Sequence, residues 1–278
     1  MQTEAYAKVN LTLDITGRDE KGYHLLSSVF AAVSLSDTVT VIPGGTELSL
    51  ECDWPYIPVD DRNLCRKAVH VLRQELSLPS EDGFRISLKK HIPVCAGLGG
   101  GSSDAAAVIR LLCEHYRIPL SDPRVHRAAL CVGADVPYFL QGGVCLAEGI
   151  GEILTPLPSL KGYTLLLVKT SERASTPEVY RVFDGLPAPQ EGTTPAFLKA
   201  LSSGEDIAPH VSNHLTEATA ALCPSVFRLK KRLLSLGACA AEMSGSGSTV
   251  FGLFREEEAA QNAAKKMDVP FCEVCHFI

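Results

Sequence analysis

The sequence has no long basic run, no apolar run of membrane-spanning length and no internal repeat. The formal net charge is −6 over 278 residues, so nucleic acid and anionic membrane surfaces are poor candidates for partners. A transmembrane helix would need about 20 consecutive apolar residues. The first ten residues, MQTEAYAKVN, lack the charged and then apolar pattern of a signal peptide. We therefore expect a cytoplasmic globular protein, and an anionic small molecule is not excluded as its ligand, because local groups would bind it.

The cysteines are numerous but form no metal-binding framework. Ten are scattered along the chain, most of them in apolar stretches, and in a reducing compartment this pattern predicts small buried hydrophobic side chains. The stretch CEVCH, Cys272 to His276, has the spacing of covalent haem attachment, which implies export. Zinc would need a fourth ligand and a second CxxC motif, which is absent. A terminal strand is the interpretation we favour, and we predict no metal-ligating residue.

Three familiar catalytic motifs are also missing: the sequence has no GxxxxGK[ST] loop, no GxGxxG fingerprint and no GxSxG elbow. In their place, GLGGGSSDAAAVIRLL (97–112) puts four glycines and two serines ahead of an Ala- and Leu-rich segment. The pattern predicts a strand over 84–93, then the glycine loop, then a helix over 103–116. Glycines before a helix N-terminus let a phosphate reach unpaired N–H groups. The alternative is a plain glycine turn with a serine N-cap.

The rest of the chain reads as an α+β protein. Residues 7–15 alternate between apolar and polar, which predicts a strand whose polar face carries Lys8 and Asn10. A helix over 63–76 has Asn63 as its N-cap. Further predicted helices lie near 122–132, 196–203, 212–222, 224–236 and in EEEAAQNAAKKM. The Pro-, Thr-, Gly- and Glu-rich composition of 171–195 predicts a domain crossing, and MSGSGST (243–249) is a second small-residue loop.

These motifs resemble those of the GHMP kinases, small-molecule kinases named for galactose, homoserine, mevalonate and phosphomevalonate. The likeness is carried by AKVNLTLDITGR, KGYHLLSSVF, GLGGGSSDAA, GADVPYFL, AEGIGEIL, TPEVY and MSGSGST, in that order over nearly the full length. It implies a strand-rich N-terminal domain (1–165) that is ribosomal protein S5 domain 2-like and binds ATP. It also implies a C-terminal ferredoxin-like α/β sandwich (166–278).

The resemblance assigns catalytic roles to Asp135, as the base, and to Lys8, as its partner. Phosphoryl transfer needs a group that accepts the hydroxyl proton, and a carboxylate beside a lysine stays ionised near neutral pH. From the residues alone, Asp135 would be a helix cap or turn residue, and Lys8 would lie on a solvated strand face.

The resemblance also implies the binding residues. Those for the ATP phosphates are Gly97, Leu98, Gly99, Gly100, Gly101, Ser102 and Ser103, with Asn63 a weaker candidate near the nucleoside. Those for the acceptor are Asn10, Tyr23, His24 and Tyr180. Tyr23 and Tyr180 would stack on a cytidine base and His24 would bond its polar edge; ordinary partial burial is the alternative for both tyrosines. Gly245 and Gly247 resemble the third family motif, although a glycine turn is the simpler interpretation.

The activity implied is transfer of a phosphoryl group from ATP, with Mg²⁺, to the 2-hydroxyl of a methylerythritol that carries a cytidine diphosphate group, in the non-mevalonate route to isoprenoid precursors. A GHMP kinase for another small alcohol and a non-catalytic binding protein are the alternatives. Tyr23, His24 and Tyr180 argue against a kinase for another small alcohol. The presence of both Lys8 and Asp135 argues against a non-catalytic binding protein. The sequence departs from the family at Tyr6, Lys21 and Cys95, the last standing where glycine is usual. Asp104 would put a negative charge in the first turn of the phosphate-binding helix.

Overall fold

The computed structural model describes residues 1–187 and 191–278. The chain forms two compact units, each assembled from separate segments. The first contains residues 1–7, 35–94 and 99–142, and the second contains residues 8–34, 95–98 and 143–278. Two long strands, β1 (Gln2–Arg18) and β2 (His24–Pro43), contribute residues to both units. Each unit mixes helices and strands, as the α+β prediction requires, while the boundary between 165 and 166 stays a prediction.

The first unit contains a parallel crossover that follows directly from the sequence order. Strand β3 (Leu48–Cys52) and strand β4 (Phe84–Lys89) run parallel, with Leu48 opposite Phe84, and helix α1 (Leu64–Leu76) connects them. Parallel neighbours need such a connection, because a tight turn joins only antiparallel strands. The second half of β2 pairs antiparallel with β4. The other helices here are α2 (Gly100–His115), α3 (Pro123–Val132) and α4 (Val136–Gln141).

Helix α2 begins at Gly100, three residues before the predicted start. Glycine is unfavourable in helix interiors, so the sequence GGG predicts a loop. In the structure, however, Gly100 and Gly101 lie in the first turn of the helix. Gly99 precedes them in the left-handed region (φ +73°) as the N-cap. Small side chains continue along α2, where Ala105, Ala106 and Ala107 are buried. Small residues allow α2 to pack closely against α1, and this packing fixes the position of its N-terminus.

The second unit holds two groups of strands. The first half of β2 pairs antiparallel with β5 (Val144–Gly149), which pairs with β6 (Ile153–Pro156); β1 pairs parallel with β8 (Ser212–Asn213). A four-stranded antiparallel sheet has the order β11 (Phe271–Cys275), β7 (Thr164–Lys169), β10 (Val250–Phe254), β9 (Ala240–Met243). The helices are α5 (Thr176–Phe183), α6 (Thr194–Ser203), α7 (Thr216–Leu222), α8 (Ser225–Ser235) and α9 (Glu257–Ala264).

The structure contains one helix that the sequence analysis did not predict, and it moves the start of another. The segment 171–195 contains helix α5, which begins with a capping box between Ser175 and Glu178, although residues 188–190 lie outside the described residues. The helix predicted over 212–222 begins at Thr216, because Ser212 and Asn213 pair with β1 instead. The domain crossing over 171–195 stays a prediction, whereas the missed helix and the misplaced helix start come from the weight given to composition over capping and long-range pairing.

The CEVCH motif lies at the end of a strand, as we expect. Cys272 pairs opposite Val168 and Cys275 opposite Leu165 within β11 and β7. Side chains three positions apart on a strand point to opposite faces, so these two thiols do not share one site. The ten cysteines all lie in the described segments, and none of them forms a disulfide bond. Within the two described segments, no helix is both long and apolar enough to cross a membrane.

Candidate active site

The polar face of β1 is buried, so the solvated-face alternative for Lys8 is wrong. Lys8 is only 4% exposed. Its ammonium lies 2.6 Å from Oδ1 of Asn10 and 4.3 Å from the centroid of the Phe30 ring, which also attracts a cation. The backbone N–H of Lys8 donates to the carbonyl of Leu98 (3.0 Å). The second unit therefore brings Lys8 against the glycine loop.

Asn10 connects Lys8 to the interior of the second unit. Its Oδ1 accepts from Lys8, and its Nδ2 donates to Oγ of Ser28 (2.9 Å). The Ser28 hydroxyl donates in turn to the carbonyl of Thr12. Asn10 is 1% exposed, and both ends of its amide bond to the chain. The structure thus gives Asn10 a role in holding Lys8, while its contact with a substrate stays a prediction.

The two glycine loops contact each other although nearly 150 residues separate them. The Ser244 hydroxyl donates to the carbonyl of Gly97 (2.8 Å) and accepts from the N–H of Asn10 (3.2 Å). Gly97 has φ +72°, and a Cβ there would lie 1.9 Å from the Ser244 carbonyl oxygen. Gly245 (φ +56°) would place a Cβ 3.1 Å from the Gly97 oxygen, and Gly247 (φ +82°) would contact the Met243 sulfur at 2.5 Å. These glycines therefore do more than form turns: they allow the loops to pack.

Cys95 shows why glycine is suited to its position. Its φ is +49°, in the left-handed region, which costs a residue with a Cβ about 1–2 kcal/mol. The side chain is exposed. The loop conformation is kept at the cost of strain in the Cys95 backbone. The departure from the family pattern changes the residue and retains a left-handed backbone.

The N-terminus of α2 has the features of an anion-binding site. The four N–H groups of a first helical turn have no partner inside their helix, and they carry a partial positive charge. A Cβ on Gly100 would meet Cγ2 of Ile92 at 2.9 Å, whereas one on Gly101 would meet only Cδ1 of Leu64 at 3.8 Å. Ser103 is buried and its hydroxyl donates to the Tyr6 carbonyl (2.6 Å). The half-buried Ser102 hydroxyl bonds to no residue within 1–187 or 191–278 and so has its proton available.

Asp104 turns away from the helix N-terminus and joins a buried ion cluster. The Lys90 ammonium contacts Oδ2 of both Asp37 and Asp104, and all three residues are at most 5% exposed. Burial raises the pKa of Asp104 to about 7, with the Asp37 carboxylate adding to the rise and Lys90 opposing it. Oδ1 of Asp104 has no partner among the described residues. The Asp104 carboxyl therefore contacts the Lys90 ammonium, and this contact together with the raised pKa lessens its conflict with a phosphate at the helix.

Asp135 lies in the first unit, at the N-cap position of α4, where its backbone adopts φ −79° and ψ −15°. The turn before it closes through the Val136 N–H and the Gly133 carbonyl (3.0 Å). A Cβ on Gly133 would lie 4.0 Å from Oγ of Ser102. Arg110 of α2 donates to the Phe139 carbonyl of α4 (2.8 Å). Within this unit, α2 and α4 therefore place the Asp135 turn beside the start of α2.

Asn63 is the N-cap of α1, as its sequence position predicts. Its Oδ1 accepts from the Cys65 N–H (2.9 Å) and its Nδ2 donates to the Pro58 carbonyl (2.8 Å). These bonds satisfy an otherwise unpaired donor of the first turn. The side chain thus has a structural function, and a role near the nucleoside stays a prediction.

The residues predicted to hold a base are partly brought together in the second unit. His24 and Tyr180 stack, with ring centroids 4.5 Å apart and planes at 26°. The Tyr23 residue is 61% exposed and its ring contacts no other aromatic ring of the described chain. Its backbone closes the turn before β2, because Tyr23 N donates to Oδ1 of Asp19 (2.8 Å).

Comparison with known proteins identifies the family on both halves of the chain. Residues 63–143 match the family described as GHMP kinases N terminal domain, and residues 191–269 match GHMP kinases C terminal. The chain belongs to the GHMP kinase family. A GHMP kinase of this kind is an ATP-dependent small-molecule kinase, which confirms the predicted enzyme class and fold.

Relatives within the family match almost the whole chain. A 4-diphosphocytidyl-2-C-methyl-D-erythritol kinase of Clostridium kluyveri is 37% identical over 99% of this chain and 98% of its own length. That of Clostridium beijerinckii is 36% identical over the same shares. A crystal structure of a 4-(cytidine 5'-diphospho)-2C-methyl-D-erythritol kinase has a TM-score of 0.82 at 35% identity, with 99% of each chain covered. A mevalonate kinase structure (17% identity, TM-score 0.71) shares the fold.

Several residues of the site escaped the sequence analysis. Ser28, Lys90, Asp37 and Asp184 contribute polar contacts from positions far from the motifs that they support. For Asp184 a signal existed, since it lies four residues after Tyr180 and so on the same face of a helix. For Lys90 and Asp37 the sequence shows only ordinary charged residues on strands, and the pairing depends on the packing of α2.

Proposed function

We propose that this GHMP kinase transfers the γ-phosphoryl group of ATP to the 2-hydroxyl of 4-diphosphocytidyl-2-C-methyl-D-erythritol. The observation that carries the proposal is the 37% identity, over 99% of this chain, to a relative named as the kinase of that compound. The reaction belongs to the non-mevalonate route to isoprenoid precursors, and we place it in the cytoplasm. A GHMP kinase acting on homoserine or mevalonate is not favoured, because a solved homoserine kinase is 19% identical to this chain and two solved mevalonate kinases are 17% and 21% identical.

We assign the chemistry to Asp135 and Lys8. Asp135 accepts the proton of the attacking hydroxyl, and Lys8 stabilises the charge that develops on the oxygen. The buried setting of Lys8 supports its part, since Asn10 and Phe30 both hold the ammonium. In phosphoryl transfer the protein itself forms few covalent bonds. Catalysis therefore depends mainly on the positioning of the reactants and on electrostatic stabilisation of the transition state.

The phosphates of ATP occupy, in this proposal, the loop from Gly97 to Gly101 and the start of α2. Backbone N–H groups cradle the oxygens, and the absence of side chains lets them approach. The Ser102 hydroxyl is the donor that the fold leaves available. Ser103 is less suited to donate, because its proton already bonds to the Tyr6 carbonyl.

Mg²⁺ is the cofactor we propose, bound through the triphosphate. The described part of the chain contains no group of three or more His, Cys, Asp or Glu that could hold a metal alone. Magnesium commonly retains waters and phosphate oxygens with few protein ligands, and the Ser102 hydroxyl fits as one of these. Asp104 does not fit, since its carboxylate contacts the Lys90 ammonium. Bound Mg²⁺ would neutralise charge on the transferred phosphoryl group.

The acceptor end is assigned to Tyr23, His24 and Tyr180, with Asn10 near the reacting hydroxyl. The exposed Tyr23 ring offers a π face to a pyrimidine, and His24 offers a ring nitrogen. We assign no nucleic acid and no membrane as partner.

The deciding measurement is ADP release by the purified protein with MgATP and four separate conditions: 4-diphosphocytidyl-2-C-methyl-D-erythritol, homoserine, mevalonate or no acceptor. We expect release with the cytidyl acceptor alone. Release with another alcohol would reassign the substrate. No release under any condition, from protein shown to be folded by circular dichroism, would favour a non-catalytic binding protein.

A further inference from the structure

The C-terminal end of α5 surrounds the His24 imidazole on three sides. Tyr180 stacks on one face at 4.5 Å, and Phe183 meets the ring at 5.9 Å with an interplanar angle of 76°. Asp184, which follows the helix, lies with Oδ1 2.7 Å from Nε2 of His24. Positions 180, 183 and 184 share one helical face, because residues three and four apart are neighbours there. The His24 side chain is only 12% exposed, so these contacts fix the ring orientation.

The hydrogen bond to Asp184 also fixes which ring nitrogen carries the proton. An ionised carboxylate can only accept, so Nε2 of His24 is the donor. In the neutral ring, Nδ1 then holds a lone pair and acts as an acceptor. No residue of the described segments bonds Nδ1, which leaves it for a ligand. Arg18 contacts the same Asp184 oxygen, and although burial opposes them, the bonds from Arg18 and His24 hold the pKa of Asp184 below its usual range.

An acceptor nitrogen distinguishes the two common pyrimidines at position 4. Cytosine presents an amino group there, which donates, whereas the corresponding uracil oxygen can only accept. We propose that Asp184 is a positioning residue that makes the site specific for cytosine by holding His24 with its proton on Nε2. This inference rests on the proposed function, since it takes His24 as the residue that meets the base. Uracil would set two acceptors against each other, a mismatch that costs affinity.

Binding of CDP and UDP by isothermal titration calorimetry tests the inference without catalysis. A non-hydrolysable ATP analogue is present throughout to occupy the donor site. For the wild type we expect CDP to bind roughly 10- to 100-fold more tightly than UDP. In Asp184→Ala the preference falls at least several-fold. In Asp184→Asn the preference is retained, because the amide oxygen still accepts from Nε2 of His24 and from Arg18, which contacts the same oxygen in the wild type.

Arg18→Gln is the matched control. It removes the ion pair at Asp184 and keeps the carboxylate that accepts from His24, so the ratio of CDP to UDP affinity stays at the wild-type value. A purely structural role for Asp184 would weaken both nucleotides equally in Asp184→Ala and leave the ratio unchanged, which would overturn the inference. Equal affinity for CDP and UDP in the wild type would also overturn it.

The tautomer itself is read by ¹⁵N NMR of the His24 imidazole. We expect the proton on Nε2 in the wild type and in Asp184→Asn, and a mixture of the two tautomers in Asp184→Ala. A proton on Nδ1 in the wild type would overturn the inference. The acceptor-dependent ADP release described above reports separately on the proposed function, so a kinase without pyrimidine preference and a CDP-selective protein without kinase activity are distinguishable outcomes.

Discussion

The ammonium of Lys8 lies 2.6 Å from Oδ1 of Asn10, two residues along the same face of β1. This contact makes the position of the Lys8 ammonium depend on the Asn10 amide, and the amide is held in turn by the Ser28 hydroxyl. A chain of buried polar contacts is strong only when every member is satisfied. Residues that touch no substrate can thus determine where the Lys8 charge lies.

We expect Ser28→Ala to lower the free energy of unfolding by about 1–3 kcal/mol, because it removes the hydroxyl that accepts from Nδ2 of the buried Asn10 and donates to the Thr12 carbonyl. The turnover number should fall as well, since Asn10 then holds Lys8 less firmly. Urea denaturation and ADP release measure the two effects. Ser235→Ala is the control, because it removes only an exposed bond to the Arg232 carbonyl. A loss no larger than that of the control would contradict the prediction.

Asp135→Asn should reduce turnover by roughly 10²–10⁴-fold, because an amide cannot accept the hydroxyl proton. ATP affinity should change little, since the phosphates bind at backbone N–H groups. Kinetics with the cytidyl acceptor and equilibrium binding of an ATP analogue separate the two parameters. Asp60→Asn, at an exposed carboxylate beside Arg62, should leave both unchanged. Near-normal turnover in the Asp135 variant would exclude it as the base.

Gly97→Ala and Gly204→Ala form a matched pair. Both glycines have φ +72°, but a Cβ at Gly204 meets nothing within 4 Å, whereas one at Gly97 lies 1.9 Å from the Ser244 oxygen. In each variant, the new Cβ in the left-handed region should lower the free energy of unfolding by about 1–2 kcal/mol. Only Gly97→Ala should also separate the two loops and abolish ATP binding. Equal behaviour of the pair in thermal unfolding and in ATP titration would show that the loop contact does not matter.

Cys95→Gly should raise the free energy of unfolding by about 0.5–1 kcal/mol. Removing the Cβ relieves a left-handed residue (φ +49°), and this gain exceeds the entropy that glycine adds to the unfolded chain. The same substitution at Cys131, an exposed residue within α3, should destabilise by about 1 kcal/mol. Denaturant titrations of both variants decide the sign, and a loss of stability at position 95 would contradict the strain argument.

The Asp104 cluster predicts a defined pH dependence. The pKa of Asp104 is higher in the folded protein (about 7) than its ordinary value of 3.8. Between these values the folded state binds more protons than the unfolded chain, so the free energy of unfolding falls as the pH rises, by at most about 1.4 kcal/mol per pH unit. In Asp104→Asn this contribution is absent. Urea titrations from pH 4.5 to 8 should therefore give a flatter curve for the variant, and parallel curves would contradict the prediction.

The sequence predicted the regular elements better than the contacts between them. Alternation identified β1, and helical spacing with an N-cap identified α1 to within one residue. Helix α2 was placed three residues late, because local propensity treats glycine as a helix breaker and does not register packing against Ile92. Helix α5 was missed, although Ser175 and Glu178 carry a capping signal, because Pro177 and the surrounding composition indicated a linker.

Residues of the candidate site differ in how far they could be predicted. The motifs placed Lys8, the glycine loop and His24 through their resemblance to a family. The burial of Lys8 and its bond to Asn10 could not be predicted from the alternation of apolar and polar residues in β1. That pattern separates the two sides of a strand but does not show whether the polar side is exposed to water. Partners such as Ser28 and Ser244 come from distant segments, and a sequence pattern of local spacing carries no information about them.

The contact between Gly97 and Ser244 also bears on the order in which the protein is made. The ribosome adds residues from the N-terminus at roughly 5–20 per second, so the loop at 95–98 emerges many seconds before the segment that packs against it. Until residues 244–249 follow, neither the Ser244 hydroxyl nor the N–H of Thr249, which bonds the Ala96 carbonyl, is present. The loop at 95–98 therefore acquires these two partners only after residues 244–249 have been added, and a shorter nascent chain lacks them.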